Sequence, residues 1–292
     1  MNRVAIVITT YNSEKYIQTL LTSIIDQKRE DLHIIFSDDG SSDETVQNLQ
    51  AFKRQYKKCT VLALEHGERG IARTKAMEVA IEMKLDYLMF LDSDMSMETE
   101  LIDQCIDVMD KESEIGALVL KELPVSGYNN LMTKIKIFER MVLNNSSKIL
   151  DRNSIEAARF WRTSAYLKSG GINPLQIAFE ETQPTIRFIE EGGLIVKHIG
   201  KGIYHDEKKV TLKNILSKKK YHFSVMNKTI ETEDNGLMKT IKRWYFFRPV
   251  MYKKSNLKMY VKHPLLTLGM ISMYMTLTFI GCFELVKQRL LS

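Results

Sequence analysis

Two aspartates, Asp92 and Asp94, follow a short apolar run from Tyr87 to Leu91. Residues i and i+2 at the end of a strand point to the same side, so these two carboxylates can converge on one hard cation, or on a cation and a neighbouring hydroxyl. A second acidic pair, Asp38 and Asp39, follows the apolar run Leu32 to Ser37, and Gly40 after it permits a tight turn. A third run, Val4 to Thr9, ends in Thr9, Thr10, Tyr11 and Asn12. Each cluster taken alone also has a plain structural reading: acidic residues favour helix N-termini, and an aromatic in a loop is ordinary.

The elements that must hold these residues alternate regularly. Val4 to Thr9 reads as a strand, and Ser13 to Gln27 as a helix with Ile17, Leu20, Leu21, Ile24 and Ile25 on one stripe. Leu32 to Ser37, Thr60 to Leu64, Tyr87 to Leu91 and Gly116 to Leu120 read as further strands. Helices are expected from a capping box at Ser41 and Glu44 through about Tyr56, over Ile71 to Met83, and over Glu98 to Met109. Short, continuously apolar strands between helices predict an α/β fold with a mainly parallel sheet covered on both faces. Such sheets bind ligands beyond the carboxyl ends of their strands, where the three polar clusters fall. The sequence has no GxGxxG turn, which disfavours dinucleotide binding of the Rossmann kind.

At 292 residues, 44% hydrophobic and 27% charged, the chain has enough apolar material for a large domain and an appendage. Cys59, Cys105 and Cys282 form no disulfide framework or metal-ligand spacing, and Met1 to Thr10 reads as a strand rather than as a targeting segment, so a cytoplasmic catalytic part is expected. The net charge of +6 is unevenly placed: from Asn235 to Phe283 there is no Asp or Glu, while lysines and arginines alternate with aromatics. Such a stretch suits nucleic acid or an anionic membrane surface. The uncharged run Pro264 to Phe283 follows it directly, with the length needed to cross a hydrocarbon core, and decides for membrane lipid and against nucleic acid. Basic residues ahead of the run keep the preceding domain cytoplasmic, although Lys287 and Arg289 beyond it leave an interfacial or re-entrant helix open, and a buried core helix is the third alternative.

The runs VAIVITTYNSEKYIQTLLTSI, IIFSDDGSSDETV and YLMFLDSDM, followed by FWRTSAYLKSGGI, FEETQPTIRFIEEGG and YHDE, resemble family 2 glycosyltransferases in order and spacing. The resemblance implies a GT-A fold, a nucleoside-diphosphate sugar donor with UDP favoured, a lipid-linked or polysaccharide acceptor, and a divalent metal, Mn2+ or Mg2+. Carried over residue by residue, it puts Thr9 and Tyr11 beside the nucleobase, Asp39 on the base with Asp38 as the alternative, and Asp92 near the ribose. It makes Asp94 the direct metal ligand, with His205 completing the metal shell or touching the diphosphate. GERGIARTKAMEVA resembles the family's loop and helix start; Ala72-Arg73-Thr74 stands where Ala-Arg-Asn is usual, and Arg73 is expected on the nucleotide or its phosphates.

Direct displacement with inversion needs a carboxylate opposite the leaving group to deprotonate the acceptor hydroxyl. The family places it in a Glu-Asp pair ahead of a helix arginine. Here Glu180-Glu181 precede Arg187, which implies Glu181 as the base and Glu180 as the alternative. Glutamate replaces the usual aspartate, and Gln183-Pro184 departs from the family pattern, so a catalytically inactive homologue serving as a membrane-bound partner of another transferase is the second reading. The domain expectation is a catalytic domain over 1–220, with a nucleotide-binding half to about 122 and an acceptor half over 123–220, then a basic, aromatic, helical membrane-associated tail over 221–292.

Overall fold

The structure is a computed structural model that describes residues 3–67, 69–145, 156–172, 182–224 and 245–291. By compactness it divides into two units: Met1–Leu123 with Ser147–His205, and Pro124–Ser146 with Asp206–Ser292. This partition cuts earlier than the sequence-derived boundary at residue 220.

The first unit is built on a sheet in which an interior strand, β1 (Val4–Thr10), is buried along its whole length. It pairs in parallel with β2 (Leu32–Asp38) and β4 (Tyr87–Asp92), and β2 pairs in parallel with β3 (Cys59–Ala63). Continuous Val, Ile and Leu along β1 and β2 are what a strand covered on both faces requires. One face carries Ile6, Ile8, Ile34 and Phe36 against α1 (Glu14–Ile25) and α4 (Leu101–Lys111); the other carries Ala5, Val7 and Ile35 against Ala76, Met77 and Ala80 of α3 (Arg69–Glu82). Small alanines let α3 lie close to the sheet.

The sheet continues with an element that the sequence did not suggest. β8 (Arg159–Arg162) lies antiparallel between β4 and β6 (Ile115–Val119), and β9 (Leu194–Lys197) closes the order β3-β2-β1-β4-β8-β6-β9. The stretch with Gly200 and Gly202 separates β9 from β10 (Ile203–Asp206), which pairs antiparallel with β5 (Met95–Met97) in a second sheet of order β5-β10-β7, with β7 over Glu122–Val125. The expected capping box is also absent. Ser41 turns back toward Asp38, and α2 (Thr45–Gln55) starts later, with Asp43 Oδ1 accepting from the Thr45 amide at 3.0 Å.

The second unit is helical. α5 (Leu131–Leu143) packs against the long C-terminal helix α10 (Pro264–Leu291), which also meets α8 (Leu212–Ser224) and the short α9 (Lys254–Lys262). Met270, Met273, Tyr274 and Leu277 form the buried stripe of α10 at helical spacing. A Cβ on Gly269 would sit 2.5 Å from Ile135 Cδ1, so glycine sets how closely α10 approaches α5. The opposite stripe, Leu265, Leu268, Met275, Phe279 and Phe283, is exposed. Pro264–Glu284 is long and apolar enough to cross a membrane, and only 28% of its most apolar stretch is buried.

Candidate active site

Strand register brings the polar clusters together. Thr9 stands opposite Ser37 on one side and Asp92 on the other, while Thr10 stands opposite Asp38. Three strand ends therefore deliver their polar residues to one edge of the sheet, as the sequence predicts.

The two acidic residues after β2 divide their work. Asp38 is fully buried and holds the turn: its Oδ2 accepts from the hydroxyls of Thr10 and Ser41, each at 2.6 Å, and its Oδ1 accepts from the Ser41 amide at 2.8 Å. Asp39 faces a different neighbour. Its Oδ1 accepts from the Gly67 amide at 3.0 Å, and its Oδ2 lies 3.3 Å from His66 Nδ1. The His66 ring stacks on Tyr11 with centroids 4.6 Å apart and planes 19° from parallel. Gly40 makes this arrangement possible, since its φ is +73° and an added Cβ would lie 2.6 Å from the His66 backbone nitrogen. His66 was missed in the sequence reading. The signal was available, because it follows β3 just as the other clusters follow their strands.

Arg73 is no solvent-facing helix residue. It is buried on α3, and its Nη2 lies 2.7 Å from Asp92 Oδ1. Ser93, between the two aspartates, shares a 2.7 Å hydrogen bond with the hydroxyl of Ser13, tying this turn to the entry of α1. Asp94 meets His205 across the second sheet: His205 pairs with Met95 in the β5–β10 register, and its Nε2 lies 3.6 Å from Asp94 Oδ1. On its other side, His205 Nδ1 lies 3.3 Å from Oε2 of buried Glu122.

The family model for glycosyl transferase family 2 matches residues 5–165, more than half the chain, including all three strand ends, Arg73 and Asp94. The chain belongs to glycosyl transferase family 2. Chondroitin synthase of Escherichia coli is 25% identical over 234 residues, covering 78% of this chain and 32% of that relative, so the chain spans about a third of its length. Among solved structures, Staphylococcus aureus TarS 1-349 in complex with UDP has a TM-score of 0.56 at 19% identity, over 86% of this chain and 72% of that one. The Pyrobaculum calidifontis mannosyltransferase PcManGT in complex with GDP-Man and Mn2+ has a TM-score of 0.60 at 14% identity, over 97% and 85%. What is shared at these identities is the fold: mixed α/β, GT-A, with a mostly parallel central sheet.

A divalent cation at this site would have few protein ligands. Among the described residues no group of three or more His, Cys, Asp or Glu side chains is arranged to hold a metal. Asp94 and His205 nevertheless fit one. Their 3.6 Å separation is longer than a hydrogen bond. It is close to the spacing of about 3–3.5 Å between two ligands each about 2.1 Å from a common ion. Cations of this class bind through one or two protein groups when substrate phosphates supply the rest.

Glu180 and Glu181 lie outside the described residues. The helix that follows them, α7 (Thr182–Glu190), is described and well anchored. Arg159 Nε donates to Thr185 Oγ1 at 2.8 Å, and Arg187 Nε donates to the Ser169 carbonyl at 2.7 Å, with its Nη2 on the Gly171 carbonyl. Arg187 is thus committed to holding the turn at Gly170 and Gly171.

Proposed function

We propose that this chain is an inverting glycosyltransferase that moves a sugar from a nucleoside-diphosphate sugar, UDP-sugar first, to a lipid-linked or cell-surface polysaccharide acceptor at the cytoplasmic face of the cell membrane. The observation that carries this reading is the register of β1, β2 and β4, which sets Thr9 opposite Asp92 and Thr10 opposite Asp38, with Asp39 directly after β2 and Asp94, paired with His205, just after β4. Tyr11 offers a ring for stacking on the base, and Asp39 offers its remaining acceptor positions to the base N–H. Asp92, fixed by Arg73, faces the ribose and the phosphates. Asp94 and His205 would hold Mn2+ or Mg2+, which neutralises charge on the departing diphosphate. Glu181 accepts the proton of the acceptor hydroxyl.

The TarS complex with UDP favours UDP, the Mn2+ in PcManGT favours the metal, and the chondroitin synthase likeness favours a polysaccharide acceptor. The exposed apolar stripe of α10 supports a seat on membrane lipid.

Titration calorimetry of UDP, GDP and dTDP with and without Mn2+, beside Asp94→Ala, tests the donor half. Metal-dependent UDP binding lost in the variant is expected; no nucleotide binding under any condition would overturn it. A second reading, a non-catalytic partner of another transferase, draws on Glu181 in place of the family's aspartate. Glu181→Gln separates the two: it should lower sugar transfer by about 10²–10⁴-fold with UDP binding intact, whereas undiminished cellular glycan would favour the partner.

A further inference from the structure

Glu122 is a buried carboxylate, 3% exposed, with no part in the chemistry above. Its two oxygens are used differently. Oε1 accepts from the Ala157 amide at 2.5 Å and from the Ala158 amide at 3.4 Å, on the approach to β8. Oε2 faces His205 Nδ1 at 3.3 Å, and the opposite ring nitrogen, Nε2, faces Asp94 Oδ1 at 3.6 Å. His205 thus stands between the two carboxylates, and the burial of Glu122 limits how water could substitute for it. An imidazole presents a lone pair on only one nitrogen, and the hydrogen bond made by the other decides which.

We infer that Glu122 is the positioning residue of this site: it accepts the Nδ1–H of His205 and so holds the Nε2 lone pair toward Asp94. This rests on the reading that Asp94 and His205 bind a divalent cation, and it adds a residue that the motifs did not single out. The backbone supports the geometry from both sides, since the Ala157 and Ala158 amides fix one carboxylate oxygen and the β5–β10 register fixes His205 beside Met95.

Glu122→Gln provides a near-isosteric test. Glutamine has one acceptor oxygen, and the Ala157 amide, which can only donate, takes it. The NH2 group then faces His205, turns Nδ1 into the acceptor and moves the proton to Nε2. In 15N-histidine-labelled wild-type protein, with His205 assigned by its loss in His205→Gln, long-range 15N–1H spectra should show the Nδ1–H form. In Glu122→Gln they should show Nε2–H, and Mn2+ affinity in the presence of UDP should fall about tenfold to a hundredfold, while metal-free UDP binding is unchanged. A wild-type His205 in the Nε2–H form overturns the assignment even if the variant does not fold. Unchanged Mn2+ affinity in a folded Glu122→Gln overturns it as well. Wild-type protein that holds no Mn2+ beside UDP would instead fail the metal reading, and the inference with it.

Discussion

Arg73 on α3 and Asp92 at the end of β4 form an ion pair of 2.7 Å in which the guanidinium is almost wholly buried. Breaking such a pair from one side leaves the other charge poorly solvated, and that cost exceeds what the contact itself contributes. Arg73→Ala should therefore destabilise the protein by about 2–3 kcal/mol and weaken UDP binding at least tenfold. Arg73→Lys should recover part of the stability and less of the binding, because an ammonium cannot reproduce the planar fork. Thermal unfolding and calorimetry read the two effects separately. Wild-type values for both in Arg73→Ala would remove this pair from the nucleotide site.

Tyr11 and His66 offer a second test of the same edge. Their rings are already stacked, so a nucleobase must either add to the stack or displace His66. Base-on-aromatic stacking contributes about 1–3 kcal/mol by alanine substitution. Tyr11→Ala should thus raise the Kd for UDP about fivefold to a hundredfold, with uridine affected as strongly as UDP. His66→Ala distinguishes the two cases: tighter UDP binding means that the histidine has to move, and weaker binding means that it forms a wall. If Tyr11→Ala leaves uridine and UDP affinity unchanged, the base binds elsewhere.

These residues were legible to different degrees for physical reasons. Asp39, Asp92 and Asp94 stand out because the strands before them are continuously apolar, so the change to polar residues marks the sheet edge. β8 was not legible: Arg159–Arg162 contains two arginines in four residues, and only the tertiary fold shows Arg159 buried with Thr185 and the Glu156 carbonyl as its acceptors. Glu122 gave no signal, because its partner His205 lies far along the chain and meets it only through the second sheet. Ser41 misled, because a serine three residues before a glutamate fits a capping box equally well whether it caps the helix or, as here, closes the turn on Asp38.

Glu139 in the helical unit predicts an acid-sensitive step. Burial by itself would raise its pKa, but the charge and hydrogen bond of Lys136, the Tyr274 hydroxyl at 2.8 Å and Arg140 outweigh burial and hold it down at about 2. A carboxylate with a depressed folded-state pKa contributes stability that is complete above its ordinary value of 4.5 and is lost as pH falls from there toward about 2. That contribution amounts to up to about 3 kcal/mol. Unfolding measured between pH 6 and 3 should show wild type losing stability more steeply than Glu139→Gln, which starts lower at neutral pH. Parallel acid limbs in the two proteins would contradict this.

Cysteine reactivity reports on α10 directly. Cys59 and Cys105 are buried in the first unit, and burial pushes the Cys59 thiol up to about 11 and Cys105 higher still, so neither supplies thiolate near neutral pH. Cys282 is exposed on α10, beside Phe279 and Phe283 on its uncovered apolar side. Folded protein in detergent-free solution at pH 8 should therefore react with DTNB at one thiol of its three. Phospholipid vesicles containing anionic lipid should then slow labelling of Cys282 by a water-soluble maleimide at least tenfold, because the apolar stripe that carries it enters the acyl region. An interfacial helix predicts that high salt restores part of the labelling, since basic residues precede the stripe; a spanning helix predicts that it does not. A labelling rate unaffected by vesicles at any salt concentration would show that the apolar side of α10 is not seated in lipid.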